Sequence, residues 1–171
     1  MGTEPQAVTN GAALAAVERE REWWESLLAE VGEARMTEPG TIGDWSFKDL
    51  VAHLFAWEER EMGRFEAALA GRPDPAPPWP ADLAGDDPIN EWIRADNAAR
   101  PLAEVVGTSR DVFARLAAVA RSLPESELND PGRFPWANGI ALGPSLVDGR
   151  YFEHLHGEHE ADVRRWLGAD A

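Results

Sequence analysis

Pro39-Gly40-Thr41-Ile42-Gly43-Asp44-Trp45-Ser46-Phe47-Lys48-Asp49-Leu50-Val51-Ala52-His53-Leu54-Phe55-Ala56-Trp57 is the stretch whose reading decides the fold. Its proline and its two glycines keep helix out of the first five residues. Ser46 then offers an N-cap, with Asp49 three residues on in the capping-box position. An apolar stripe follows at helical spacing: Phe47, Leu50, Val51, Leu54, Phe55, Met62, Phe65 and Leu69. It predicts a helix from about Ser46 to Leu69. At roughly 100° per residue the stripe's centre lies about 110° from His53. His53 and Trp57, four apart, therefore share one shoulder of the stripe. Glu58 and Glu61 fall near its centre, where a carboxylate needs a partner or water. Arginines such as Arg21 or Arg115 are candidate partners.

Working outward, residues 1 to about 10 read as a frayed tail. A helix is expected over Gly11 to about Gly32, with Leu14, Val17, Trp24, Leu28 and Val31 on one face. Met36 to Gly43 reads as a loop. The segment from Gly71 to Pro80 holds five prolines, so it is an extended crossover, with Trp79 to pin it down. Asp87 and Pro88 open a third helix as cap and first position. A long one follows from Pro101 to Leu123. Residues 124–147 are irregular, an uncommon length for a loop inside a domain, and Phe134 and Trp136 are placed to fold back over a pocket. A last helix is expected over about Val147 to Leu167. No stretch alternates as a strand does. The expectation is all-α: a four-helix bundle with long irregular connections, one domain across 1–171.

The chain of 171 residues is 44% hydrophobic, which suits one sizeable core. It carries a formal net charge of -15, which opposes binding to nucleic acid because phosphates are repelled by acidic surface. No run is apolar enough to span a membrane, and the N-terminus lacks the pattern of a signal peptide. With no cysteine there is no disulfide or thiolate chemistry, and a cytoplasmic location is expected. No phosphate-binding glycine loop, nucleophile elbow or dinucleotide fingerprint is present.

The sharpest chemical signal is histidine. Of four, three stand together as His154, His156 and His159. On an unbroken helix His159 takes the centre of the apolar face, with His156 about 60° away and His154 nearly opposite. His156 and His159, three apart, can reach one ion; His154 and His159, five apart, cannot unless Gly157 distorts the helix. The expected metal ligands are thus His53, His156 and His159, with His154 as the alternative and a His154–Glu158 pairing as another. Three protein ligands leave a coordination position for water or substrate. Glu58 and Glu61 are the expected catalytic carboxylates, with Asp162 a further orienting group. Without a metal the same groups form a histidine–carboxylate acid–base pair.

The run from Pro39 to Leu54, with Trp57-Glu58, resembles the signature of the DinB/YfiT-like superfamily of four-helix bundles, and within it the ClbS/DfsB-type proteins. Asn90-Glu91-Trp92, Pro101-Leu102-Ala103-Glu104-Val105 and Glu158-His159 with Val163-Arg164-Arg165-Trp166-Leu167 agree with it. The resemblance implies an up-down-down-up bundle, a homodimer, and a divalent metal, nickel or zinc, held by one histidine of the second helix and two of the last. It also implies a small-molecule substrate. One branch uses low-molecular-weight thiols as transferases or isomerases; the ClbS-like branch disarms a reactive small molecule by hydrolysis without needing the metal. By position His53 and His159 match two of the ligands. The third falls on Leu155; either His156 or His154 substitutes, with a local distortion at Gly157, or the metal site is incomplete.

Overall fold

The computed structural model describes residues 7–168. α1 runs Asn10–Val31, β1 Pro39–Ile42, β2 Trp45–Ser46, α2 Phe47–Leu69, α3 Asp86–Asn97, α4 Leu102–Ser122, α5 Glu125–Leu128, α6 Leu142–Val147, α7 Glu153–His156 and α8 Glu160–Leu167. The fold is all-α apart from one small hairpin. α2 packs most extensively on α4; α1 packs on α4 and α6, and α3 on α2.

The opening stretch folds largely as its residues dictate. Ser46 Oγ accepts from the Asp49 amide at 3.2 Å, and the Ser46 amide donates to Asp49 Oδ2 at 2.8 Å, a complete capping box. Ahead of it stands the hairpin, not a loop. Ile42 pairs with Trp45 and Pro39 with Ser46. Gly43 takes the first of the two turn positions at φ 58°, where tight hairpin turns need glycine. Strands this short carry no legible alternation. The hairpin also receives the C-terminal helix: α8 packs on β1. Trp166 stacks on Phe47, and the Arg35 guanidinium sits 4.3 Å from the Trp166 ring centre.

Among the described residues, thirty-one buried side chains form a single core, which includes Trp24, Phe47, Leu50, Met62, Leu116 and Val163. Trp24 Nε1 donates to Ser109 Oγ at 2.9 Å, so the one polar atom of that indole is satisfied inside the α1–α4 interface.

Several expectations need correction. Residues 1–6 of the expected tail lie outside the described residues, but Val8 to Asn10 are not frayed. The Val8 amide donates to Asn129 Oδ1 at 2.8 Å, and Asn10 Nδ2 donates to the carbonyls of Ala120 and Leu123. α3 starts at Asp86, so Pro88 sits within its first turn and not at its first position. Segment 124–147 contains α5, α6 and a 3₁₀ turn at Pro135–Ala137. The last helix is not continuous: a 3₁₀ turn at Arg150–Phe152 leads into α7, and the chain breaks between His156 and Glu160.

Candidate metal centre

His53 projects from the middle of α2 and is 4% exposed. Trp45 of the hairpin packs edge-on against it, ring centroids 5.5 Å apart. The break after α7 brings two more imidazoles to the same point. His154 belongs to the single turn of α7, and His159 caps α8. His53 Nε2 and His154 Nε2 are 3.0 Å apart. The His159 ring centre lies 5.2 Å from each of the other two. One ring nitrogen from each of the three lies within 4.8 Å of the other two.

The break is what allows this. Five residues apart on a continuous helix, His154 and His159 would point in widely different directions. At Gly157 a Cβ would run into the Glu153 side chain and stand 3.0 Å from the Glu153 carbonyl oxygen, so the local path favours glycine. The expectation that His154 faces solvent is therefore overturned.

His156, expected among the ligands, goes elsewhere. Its Nε2 is 2.7 Å from Glu20 Oε1 on α1, and its Nδ1 is 2.6 Å from Glu160 Oε2 on α8. An imidazole with a carboxylate at each nitrogen has both nitrogens engaged and neither free for a metal. Burial pulls its pKa down, but the hydrogen bond to Glu160 and the charge of Glu20 outweigh that and hold it above the ordinary value. Trp23 packs edge-on against the ring at 4.4 Å. Leu155, the position left without a histidine, is a buried core residue.

The trio is electrically the reverse of His156. Burial, followed by the neighbouring His154 and His159, pushes the His53 pKa down to about 3. Burial lowers those of His154 and His159 too. Three neutral imidazoles side by side are a donor set for a divalent cation. Among the described residues, His159 Nε2 is buried with no hydrogen-bond partner, and an unpaired buried polar atom is costly. Two nitrogens sharing one ion at about 2.1 Å stand roughly 3.0–3.4 Å apart, depending on geometry; the His53–His154 pair is already at the lower value. The residues fit a metal. His154 Nε2 also lies 3.9 Å from Glu158 Oε2, the pairing read from their spacing.

Glu58 and Glu61 have different surroundings. Tyr151 Oη donates to Glu58 Oε2 at 2.8 Å. Burial pushes the Glu58 pKa up to about 7, more than the Tyr151 hydrogen bond lowers it. Glu58 and His154 line one small cavity of about 40 Å³, whose other walls include Leu54, Phe55, Phe113 and Leu116. That is room for a few water molecules. Glu61 accepts from Trp136 Nε1 at 2.9 Å and from Arg64 at 3.1 Å. Neither carboxylate meets Arg21 or Arg115, which pair with Glu18 and Glu66. Asp162 pairs with Arg165. Nothing in the sequence pointed to Tyr151: a lone tyrosine between Arg150 and Phe152 carries no spacing signal, and only the fold sets it opposite Glu58.

A family model described as the DinB superfamily matches residues 16–162. The chain belongs to the DinB superfamily. The matched span takes in all three clustered histidines, Glu58 and Tyr151. No curated protein and no solved structure matches the chain. His53 and His159 stand where the resemblance expects histidines, and the third imidazole of the cluster is His154, one residue before Leu155. No helix of the described residues is long and apolar enough to cross a membrane.

Proposed function

We propose that this DinB-superfamily protein is a metal-dependent enzyme acting on a small molecule, as a thiol-dependent transferase or isomerase or as a hydrolase. The observation that carries the reading is the convergence of His53, His154 and His159 beside a cavity lined by the Glu58 carboxyl. His53, His154 and His159 would hold a nickel or zinc ion, and a divalent ion supplies Lewis-acid activation of a coordinated thiol, water or carbonyl. The chain's own residues do the rest. Glu58 is poised near neutrality, so it gives or takes a proton at its carboxyl at working pH. Tyr151 fixes that carboxyl through Oε2. The apolar walls around it exclude bulk water and strengthen each polar contact inside. A low-molecular-weight thiol co-substrate and a homodimer belong to this reading through the family resemblance, and a cytoplasmic location through the lack of cysteine.

A second reading is favoured by Glu58. A carboxyl near neutrality in an apolar cavity acts without a metal, as the ClbS/DfsB-type resemblance implies for a resistance protein that hydrolyses or sequesters a reactive compound. One comparison separates the two. Chelator-stripped and nickel- or zinc-reloaded protein are assayed with a low-molecular-weight thiol and a panel of epoxide, aryl-halide and ester acceptors. Turnover that appears only on reloading, and is lost in His53→Ala, supports the metal enzyme. Equal turnover in stripped protein, lost in Glu58→Gln, supports the second reading and sinks the first.

A further inference from the structure

Tyr151 has two sides. Its hydroxyl serves Glu58 in the inner cavity, and its ring is also a wall of a second, larger pocket of about 230 Å³. Phe65, Phe134 and Trp136 supply the other aromatic walls, and Ile140, 41% exposed, borders the opening to solvent. The rings brace one another: Phe65 meets Phe134 edge-on at 4.7 Å, and Phe134 lies 5.3 Å from Trp136. Trp136 is held from behind by Arg64, whose guanidinium sits 4.4 Å from the ring centre. The pocket is thus built from fixed surfaces.

Its polar lining is Ser145, Arg150 and Glu61, of which Glu61 is the carboxylate. The carboxylate spends one oxygen on Arg64 and the other on Trp136. A carboxylate has about four acceptor positions, so two remain. Its side chain is 34% exposed, accessible to a group entering the pocket.

We propose that this outer pocket binds the planar aromatic part of the substrate, a fused two-ring group carrying one hydrogen-bond donor that Glu61 accepts. A cavity of about 150 Å³ with apolar walls takes up benzene; 230 Å³ accommodates a second fused ring. Aromatic walls favour flat rings through stacked and edge-on contacts that a puckered ring cannot make. A ligand seated there is separated from Glu58 by one side chain, Tyr151. The assignment of this ligand as substrate rests on the reading of the inner site as the reacting centre; the ring and donor preferences belong to the outer pocket alone.

The test is calorimetric titration of the full chain with 2-naphthol, 2-methoxynaphthalene and decahydro-2-naphthol, in zinc-loaded and chelator-stripped protein, with zinc stoichiometry measured alongside. The expected result is one saturable site for 2-naphthol. Both comparators bind about tenfold more weakly, one for want of a donor and the other for want of flat rings. Ala137→Phe, which fills the pocket, and Ile140→Asp, which charges its exposed border, each weaken 2-naphthol about tenfold or more; the second sits at a solvent-exposed position and leaves the core intact. Absence of saturable 2-naphthol binding overturns the proposal, as does equal affinity for the puckered alcohol or undiminished binding in both variants. Zinc bound without 2-naphthol overturns the pocket and leaves the metal centre standing; 2-naphthol bound without zinc supports the pocket and removes the metal centre.

Discussion

Glu58 keeps its proton toward neutral pH because the charged form would sit among apolar side chains with a single hydrogen bond to support it. Its folded-state value of about 7 lies above the ordinary 4.5. As pH rises, the unfolded chain gives up this proton first, so the group favours the folded state below about pH 4.5 and loses that contribution as pH climbs through 7. Glu58→Gln keeps an acceptor for Tyr151 and removes the charge. The variant should therefore unfold less readily than the parent at pH 8, by about 2–3 kcal/mol, and no differently at pH 4; urea titrations at the two pH values check it. His53 acts in the opposite sense in metal-free protein: with its value lowered to about 3, it contributes stability above its ordinary 6.5 and loses it as pH falls. At this scale the sequence was informative about residue identity and silent about partners. Glu58 and Glu61 stood out as carboxylates on an apolar face, yet nothing in the spacing pointed to Tyr151 or Trp136, which lie 93 and 75 residues away along the chain.

The element that decides the site is the C-terminal segment, whose break at Gly157 rearranges three histidines. A helical wheel assumes a continuous helix, and on that assumption His156 belonged with His159 and His154 faced away. One interruption reverses the two. Gly157 weakened the helical prediction by its propensity alone, but the turn after it depends on long-range ties: Glu20 on α1 grips His156, and Arg164 bonds both Glu160 and Glu30. These hold α7 and α8 against α1 and so set where His154 and His159 point. His156→Ala should lower zinc affinity about 10- to 100-fold, as loss of a group that orients ligands does, with no ligand removed; Glu20→Ala should follow it, and isothermal titration with zinc measures both. At the other end of the pocket the local signals sufficed. The capping box of Ser46 and Asp49 starts α2 where the sequence placed it, and Ser46→Ala should cost about 1 kcal/mol in denaturant unfolding.

For the whole molecule, hydrophobic periodicity gave the helices because each buries one face against a shared core. It could not give the β1–β2 hairpin, whose strands are too short to alternate, nor the docking of α8 on that hairpin, which fixes the far end of the histidine-bearing segment. A ligand that joins α2 to that segment stabilises the entire fold. Zinc at about 100 times its dissociation constant should add about 2.7 kcal/mol and raise the melting temperature by roughly 5–10 °C, and His53→Ala should abolish the rise. The most direct measurement is a crystal structure of the protein soaked in zinc or nickel, read by anomalous scattering. The account predicts one strong peak bonded to ring nitrogens of His53, His154 and His159, with His156 still between Glu20 and Glu160. A peak at His156, or none among the three histidines, would contradict it.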